Sequence, residues 1–180
     1  MLAAGRDGQN YDLPCGFERF LPLGEAGTWN GEIVNVSMNP PIRNDPRLYI
    51  YYTARNSAQY AVGPASNYLG LASLAVDRFV GITAGDHGFV LTEPIAVNAP
   101  YLYINMQNTY GWVQVEVRDE SNHVIGGYEI DNCPKMQERR PAVRVQWRDK
   151  KDLRELVGRR CTFKFLISNA TLYSYRFSDE

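Results

Sequence analysis

The chain has 180 residues, of which 44% are hydrophobic and 22% charged, and its formal net charge is -1. This composition excludes an intrinsically disordered protein, and the length allows one hydrophobic core or two small units that share an interface. No stretch approaches the roughly 20 apolar residues of a membrane helix, and the N-terminal residues lack the apolar segment of a secretory signal. We therefore expect a soluble protein with no membrane partner; the compartment is undetermined, and the cytoplasm is favoured.

The 3 cysteines, Cys15, Cys133 and Cys161, show no C-x-x-C spacing, which argues against a zinc site or a redox pair. Their odd number favours a reducing compartment. His87 and His123 are far apart and have no flanking pattern of carboxylates or cysteines, so they indicate neither a metal centre nor a Ser-His-Asp relay. We therefore predict no metal site from these residues.

Lysine and arginine are spread along the chain except for a basic run between Arg139 and Lys151. A nucleic-acid interface needs clustered cations on one face. The acidic residues around this run reduce its field, so we interpret it as a solvated strand face and loop. No nucleic-acid partner is predicted.

The N-terminal half alternates apolar and polar residues with a period of two, which is the pattern of strands that bury one face. The predicted strands are Glu32–Met38, Arg47–Ala54, Tyr68–Asp77, Phe79–Ile82 and Phe89–Thr92. Successive antiparallel strands of this length are typical of one blade of a β-propeller. Because proline resists a central strand and the pattern restarts at Tyr101, we place a boundary in the stretch from Pro94 to Pro100.

The C-terminal half has the same period and predicts a sandwich of antiparallel strands. These strands are Trp112–Arg118, Ala142–Trp147, Thr162–Ser168 and Leu172–Phe177. Turn residues separate them at 119–122 and at 168–171, which predicts hairpins. Residues Asp152–Val157 form the one predicted helical turn, which Asp152 can cap and Gly158 ends. The inward-facing sets are Val113, Val115 and Val117; Val143, Val145 and Trp147; Phe163, Phe165 and Ile167; and Tyr173, Tyr175 and Phe177.

Several short motifs carry a family resemblance. They include Gly27-Thr28-Trp29-Asn30-Gly31-Glu32-Ile33, Leu48-Tyr49-Ile50-Tyr51-Tyr52, Val115-Glu116-Val117-Arg118-Asp119 and Val145-Gln146-Trp147. Together they resemble the last blade and the appended C-terminal β-sandwich of bacterial five-bladed propeller proteins related to glycoside hydrolase families 32 and 43. The resemblance covers nearly the whole chain. The predicted fold is all-β, with a propeller-blade-like antiparallel sheet at residues 1–97 and a jelly-roll-like antiparallel β-sandwich at residues 98–180.

Such enzymes draw catalytic carboxylates from several blades, and the resemblance gives this chain only about one blade. Glycoside cleavage needs two carboxyl groups across the scissile bond. Glu32 is the only acidic residue in a strand that, by the resemblance, would line the propeller funnel. A single carboxylate cannot supply both roles, so no catalytic residue is assigned and Glu32 stays a weak candidate.

Aromatic and planar polar side chains are plentiful, and both suit sugars, whose apolar faces stack on rings and whose hydroxyls need polar partners. Trp112, Gln114, Glu116 and Arg118 lie opposite the inward valines. With Tyr101, Tyr103 and Tyr110, and with Asn30 from the blade, they are the predicted ligand-binding residues. An alternative is that the tyrosines close the core or the interface between blade and sandwich. Trp147 and Tyr175 are expected to be structural.

Calcium is a possible cofactor, with ligands in the loops at Asp119-Glu120 and Asp131-Asn132, although neither has diagnostic spacing. The leading hypothesis is a non-catalytic carbohydrate-binding protein. One alternative is a glycoside hydrolase that acts through an assembled oligomer or through a cleft between blade and sandwich. Another is an assembly module whose open sheet edges pair with a further copy, forming a homo-oligomer.

Overall fold

A computed structural model of the chain describes residues 1–5, 7–36, 39–57, 66–138, 140 and 142–180. Its regular structure is antiparallel β-sheet with two short 3-10 turns, which confirms the predicted all-β class. The chain forms two compact units, Met1–Val76 and Asp77–Glu180. Within the described ranges, no helix has the length and apolar character needed to cross a bilayer.

The boundary between the units lies earlier than the sequence analysis placed it. The chain divides after Val76, whereas the sequence pattern predicts a break after residue 97. The difference arises because residues 82–96 form three short strands that pair with the last strand of the second unit. The predicted strands Phe79–Ile82 and Phe89–Thr92 are therefore not part of a blade in the first unit.

The first unit contains one antiparallel sheet of four strands. These are β1 (Ile33–Val36), β2 (Ile42–Asn44), β3 (Arg47–Arg55) and β4 (Asn67–Ala75). Strands β1 and β2 follow one another along one edge of β3, and β4 pairs along its other edge. Ser37 and Met38, which the sequence analysis included in the first strand, lie outside the described residues.

The two faces of this sheet differ in burial, as the period of two predicts. Ile50, Tyr52 and Ala54 of β3 are buried, and Trp29 stacks on Tyr52 with ring centroids 5.9 Å apart. The opposite face leaves large apolar side chains exposed, including Tyr51 of β3 and two leucines of β4. The unit therefore presents an apolar surface on one side of its sheet.

The second unit is built on two long strands, β8 (Tyr101–Arg118) and β10 (Arg160–Ser178), which pair antiparallel along nearly their whole length. The other edges of this pair carry the four short strands β5 (Ile82–Ala84), β6 (Gly88–Leu91), β7 (Ile95–Ala96) and β9 (Val143–Arg144). Strands β5, β6 and β7 lie in succession along β10, and β9 pairs with β8. The 3-10 turns are Ile130–Asn132 and Arg154–Leu156.

The core of the second unit confirms most of the predicted inward residues. The valines of β8 lie directly opposite Phe163, Phe165 and Ile167 of β10, and these side chains are buried. Trp147 is also buried and donates a hydrogen bond from Nε1 to the carbonyl of Val115 at 2.8 Å. The connection between β8 and β10 thus packs against the sheet and supplies its own side chains to the same cluster: Tyr128, Cys133, Val145, Trp147, Leu153 and Leu156.

The predicted hairpin turn at 168–171 was wrong, because these residues belong to the continuous strand β10. Two register shifts in the β8–β10 pair explain why turn-forming residues occur within this strand. At the first, Asn169 has a φ of 44° and several residues of β8 bulge opposite it. At the second, past Leu172, the alternation reverses, so Tyr175 lies opposite the buried Ile104 on the core-facing side, with its ring centroid 5.2 Å from that of Phe165.

The helical turn was predicted at nearly the right place. The backbone N–H of Arg154 donates to Asp152 Oδ1 at 2.9 Å, and Gly158 ends the segment with a φ of +87°. Leu153 and Leu156 are buried as predicted, whereas Val157 is exposed.

Gly111 marks the closest backbone approach at the first bulge. A Cβ at this position would lie 1.9 Å from the carbonyl oxygen of Ser168, so Gly111→Ala should force the paired strands apart and destabilise the protein by about 1–3 kcal/mol. Gly126→Ala is the matched control, because no atom lies within 4 Å of its added Cβ. Urea unfolding of both variants tests this, and an unchanged midpoint for Gly111→Ala would contradict the bulge geometry.

Candidate functional site

The outer face of the second sheet carries a cluster of aromatic, apolar and polar side chains across three neighbouring strands. Leu166 of β10 lies between Phe89 of β6 and Gln114 of β8, and Lys164 of β10 lies opposite Glu116 of β8. Residues that are directly opposite each other share a face of the sheet. With Trp112 they form one surface about 10 Å wide, which is two strand spacings. We call this surface the outer-face patch; its residues are Phe89, Trp112, Gln114, Glu116, Lys164 and Leu166.

Both aromatic rings of the patch reach solvent. Phe89 is 65% exposed, and the Lys164 ammonium lies 5.2 Å from its ring centroid. Trp112 is half-buried; its ring meets His87 edge-on at 5.9 Å, and Lys135 Nζ lies 4.5 Å from its centroid. Ser168 lies opposite Trp112 on β10. Because Ser168 is small and buried, it does not stand between the ring of Trp112 on β8 and the ring of Phe89 on β6.

The polar residues of the predicted row are held by hydrogen bonds. Gln114 Nε2 donates to the carbonyls of Ile130 at 3.2 Å and Cys133 at 2.6 Å. Glu116 is buried, and its carboxylate is 2.7 Å from the guanidinium of Arg118. These contacts fix the row, since each long side chain has a partner that holds one rotamer.

The Glu116–Arg118 ion pair should therefore contribute measurably to the free energy of unfolding. Arg118→Leu would leave the buried carboxylate without its cation, and we expect a loss of about 2–4 kcal/mol at neutral pH. Arg176→Leu is the control, because Arg176 is exposed and lies over the Tyr103 ring at 5.1 Å, an arrangement worth under about 1 kcal/mol. Equal unfolding free energies for the two variants would show that the pair is not structural.

Burial of the neighbouring Cys133 raises the pKa of its thiol to about 11. The Cys133 thiol therefore stays neutral in the folded protein up to about pH 11, whereas in the unfolded chain it ionises from about pH 9. Ionisation favours the unfolded chain, so the free energy of unfolding falls as the pH rises from about 9 to about 11. Between pH 8 and about 10.5 the unfolding free energy should fall by about 2 kcal/mol more in the wild type than in Cys133→Ala. Parallel pH profiles from urea titrations would contradict this.

The other predicted ligand-binding residues are not brought into the patch. Tyr101 lies opposite Ser178 and Trp112 opposite Ser168, so about 30 Å of strand separates them. Tyr101 and Tyr103 are half-buried on the outer face, and Arg144 and Arg176 lie over their rings at 3.8 Å and 5.1 Å. The predicted single platform was wrong in this respect, because one continuous strand carries the tyrosines to its far end.

Two further predicted residues have different positions. Tyr110 lies on the bulge of β8, two residues before Trp112, and is 89% exposed. Asn30 belongs to the first unit, where its Oδ1 lies 3.2 Å from Thr28 Oγ1 in a turn. Tyr110 is therefore the one predicted tyrosine that borders the patch.

The weak catalytic candidate and the possible metal ligands lie in ordinary surroundings. Glu32 is exposed, directly before β1. Asp119 Oδ1 accepts hydrogen bonds from the backbone of His123 and Ser121, which lower the pKa of this carboxyl. Asn132 donates to Glu129 at 2.7 Å. Among the described residues, no three or more His, Cys, Asp or Glu side chains are grouped to hold a metal ion.

An apolar groove of about 370 Å³ also lies in the second unit. It forms where the strand alternation reverses after Leu172, so that Tyr175 turns toward Val80 and Ile82. Sequence patterns could not reveal this groove, because it depends on the register shift and on the pairing of β5 with β10. Its lining is almost entirely apolar, which gives a ligand few groups for orientation.

Sequence reasoning also missed Phe89, Lys164 and Leu166, which complete the patch. The available signal was the pair of apolar residues Phe89 and Leu91, two apart on the predicted strand Phe89–Thr92; the structure shows both to be exposed. Their relation to Trp112 depends on β6 and β8 flanking the same strand.

Comparisons of this chain with protein-family models, with curated proteins and with solved structures gave no match. The function must therefore be argued from the site itself.

Proposed function

We propose that the second unit binds carbohydrate, without cleaving it, on the outer-face patch. The observation that carries this proposal is the placement of two solvent-accessible rings, Phe89 and Trp112, on one sheet face, with the Gln114 amide and the Lys164 ammonium beside them. Sugar rings present apolar faces that stack on aromatic rings, and their hydroxyls need planar polar partners.

The geometry suits a flat, extended ligand. The patch is open on one face of the sheet, and its two rings are on strands that are separated by β10. A surface about two strand spacings across can contact more than one sugar unit of an oligosaccharide. Gln114 and Glu116 are already fixed by internal bonds, so little side-chain entropy is lost when a ligand approaches them.

The two lysines add donors at the rim. Lys164 and Lys135 carry their ammonium groups over Phe89 and Trp112. Both groups are at the end of flexible chains, so a sugar can replace them over the rings and accept hydrogen bonds from them. The resemblance to proteins related to glycoside hydrolases, which rests on short motifs spread along the chain, points to the same class of ligand.

A glycan array followed by calorimetry on the strongest hit tests the proposal. Trp112→Ala and Phe89→Ala should each weaken binding by about tenfold, which corresponds to about 1.4 kcal/mol of stacking. Tyr103→Ala is the matched control, since this tyrosine is on the same face but far along β8, and it should bind as the wild type does.

The array should contain neutral and uronic-acid oligosaccharides, because the lysines at the rim give acidic sugars an additional contact. If no glycan binds, or if a glycan binds with equal strength to the Trp112→Ala and Tyr103→Ala variants, the patch is not a carbohydrate site. Circular dichroism of each variant checks that the sheet is retained.

A further inference from the structure

Three arginines surround two tyrosines at the start of β8, far along that strand from the outer-face patch. Tyr103 lies directly opposite Arg144 of β9 on one side and Arg176 of β10 on the other, so the three side chains share one face of the sheet. Tyr101, two residues earlier on β8, is on the same face. Nη2 of Arg154 lies 3.5 Å from the Tyr101 hydroxyl. We call these five residues the arginine cluster.

Aromatic rings position two of the guanidinium groups. The Cζ atom of Arg144 lies 3.8 Å from the centroid of the Tyr101 ring, and that of Arg176 lies 5.1 Å from the centroid of the Tyr103 ring. A guanidinium group that rests on a ring face keeps its N–H donors at its edge. The rings therefore orient both arginines without occupying the donors that bind an anion.

Arg144 makes few hydrogen bonds for a half-buried arginine. Its Nη2 donates to the carbonyl of Lys151 at 3.4 Å, and its Nε is buried with no acceptor in the described structure. Native proteins pair nearly all of their buried donors. Arg144 is therefore held without the hydrogen bonds that a purely structural arginine makes, and its remaining donors can serve a ligand.

The cluster has an excess of positive charge. Arg154 lies 3.7 Å from the carboxylate of Asp152. Neither Arg144 nor Arg176 forms an ion pair with any residue in the described ranges. Two guanidinium charges are thus left for an anion to neutralise.

The sheet around the cluster supplies small polar side chains and no carboxylate. The positions that share its face on β8 and β10 are Asn105, Ser174 and Ser178. Asp179 and Glu180 follow β10, and within the part of the chain that the structure covers they pair with no cation. An anion that approaches this face therefore meets arginine donors and small neutral groups.

We propose that the arginine cluster binds the phosphate group of a phosphate monoester. Near neutral pH such a group carries a charge of about -1.5 to -2 and presents three acceptor oxygens. This charge matches the two guanidinium groups of Arg144 and Arg176, whereas a carboxylate or a sulfate ester supplies a single charge. The planar fork of arginine can bond two phosphate oxygens at once. Arg176 is exposed at the end of a flexible chain, so it can close on the bound group.

The charge of the chain favours a single phosphate group over a nucleic acid. A nucleic acid repeats its phosphates along the strand and needs a wide basic surface, whereas this chain has a formal net charge of -1. The cluster is also separate from the outer-face patch, so the proposal does not depend on carbohydrate binding.

Calorimetry on the whole chain, in a chloride buffer of low ionic strength, tests the ligand. Methyl phosphate should bind with a Kd of about 1 mM or tighter. Methyl sulfate has the same shape and one negative charge fewer, and it should bind about tenfold more weakly or worse. Inorganic phosphate should bind no more tightly than methyl phosphate. No binding of methyl phosphate up to about 10 mM, equal binding of methyl sulfate, or tighter binding of inorganic phosphate would each overturn the proposal.

Arginine variants test the site. Arg144→Gln and Arg176→Gln should each raise the Kd for methyl phosphate about tenfold or more, because each removes a charged donor. Arg43→Gln is the matched control: Arg43 is an exposed arginine of the first unit, where Asp45 pairs with it at 2.9 Å, and this variant should bind as the wild type does. Circular dichroism checks that the sheets are retained. Because Arg176 is exposed, its variant keeps the test valid if Arg144→Gln fails to fold. Equal Kd values for Arg176→Gln and Arg43→Gln would refute the assigned site.

Discussion

The antiparallel pairing of β8 with β10 is the constraint on which the second unit depends. Every other strand of this unit hydrogen-bonds to one of these two, so the long pair fixes the position of each short strand. It also decides which side chains enter the core, because opposite residues share a face. The two register shifts adjust this alternation at defined points, and both the bulge at Asn169 and the apolar groove result from them.

The core of the second unit was predictable from local pattern, and the topology was not. The valines of β8 and the phenylalanines of β10 alternate strictly, so their burial follows from a period of two alone. The stretch 168–171 contains the residues that favour a hairpin, but the same residues suit a bulge within a continuous strand, and the local sequence does not separate these cases. The pairing of residues 82–96 with β10 is a long-range contact that no local pattern encodes.

In the candidate site, too, local pattern predicts some of the residues and long-range strand pairing determines the others. Trp112, Gln114, Glu116 and Arg118 share the outer face because they are two apart on one strand, and that much the sequence alone predicts. Phe89 and Leu166 join them only through pairing in space. Tyr101 and Tyr103 lie on the predicted face of the sheet but far from Trp112, because the predicted strand was shorter than β8. Facing direction is thus a local property, whereas proximity depends on the whole sheet.

The placement of β10 also has a consequence for biosynthesis. The strand that organises the second unit follows all of its partners in the chain, and contacts such as Phe89 with Leu166 join residues far apart in sequence. Such contacts form slowly because a long loop must close first. A ribosome would release the first sheet, whose strands are near neighbours along the chain, well before the second could assemble. Until then the apolar side chains of β6 and β8 would lack their central strand, and this stage is where we expect nascent chains to need a chaperone.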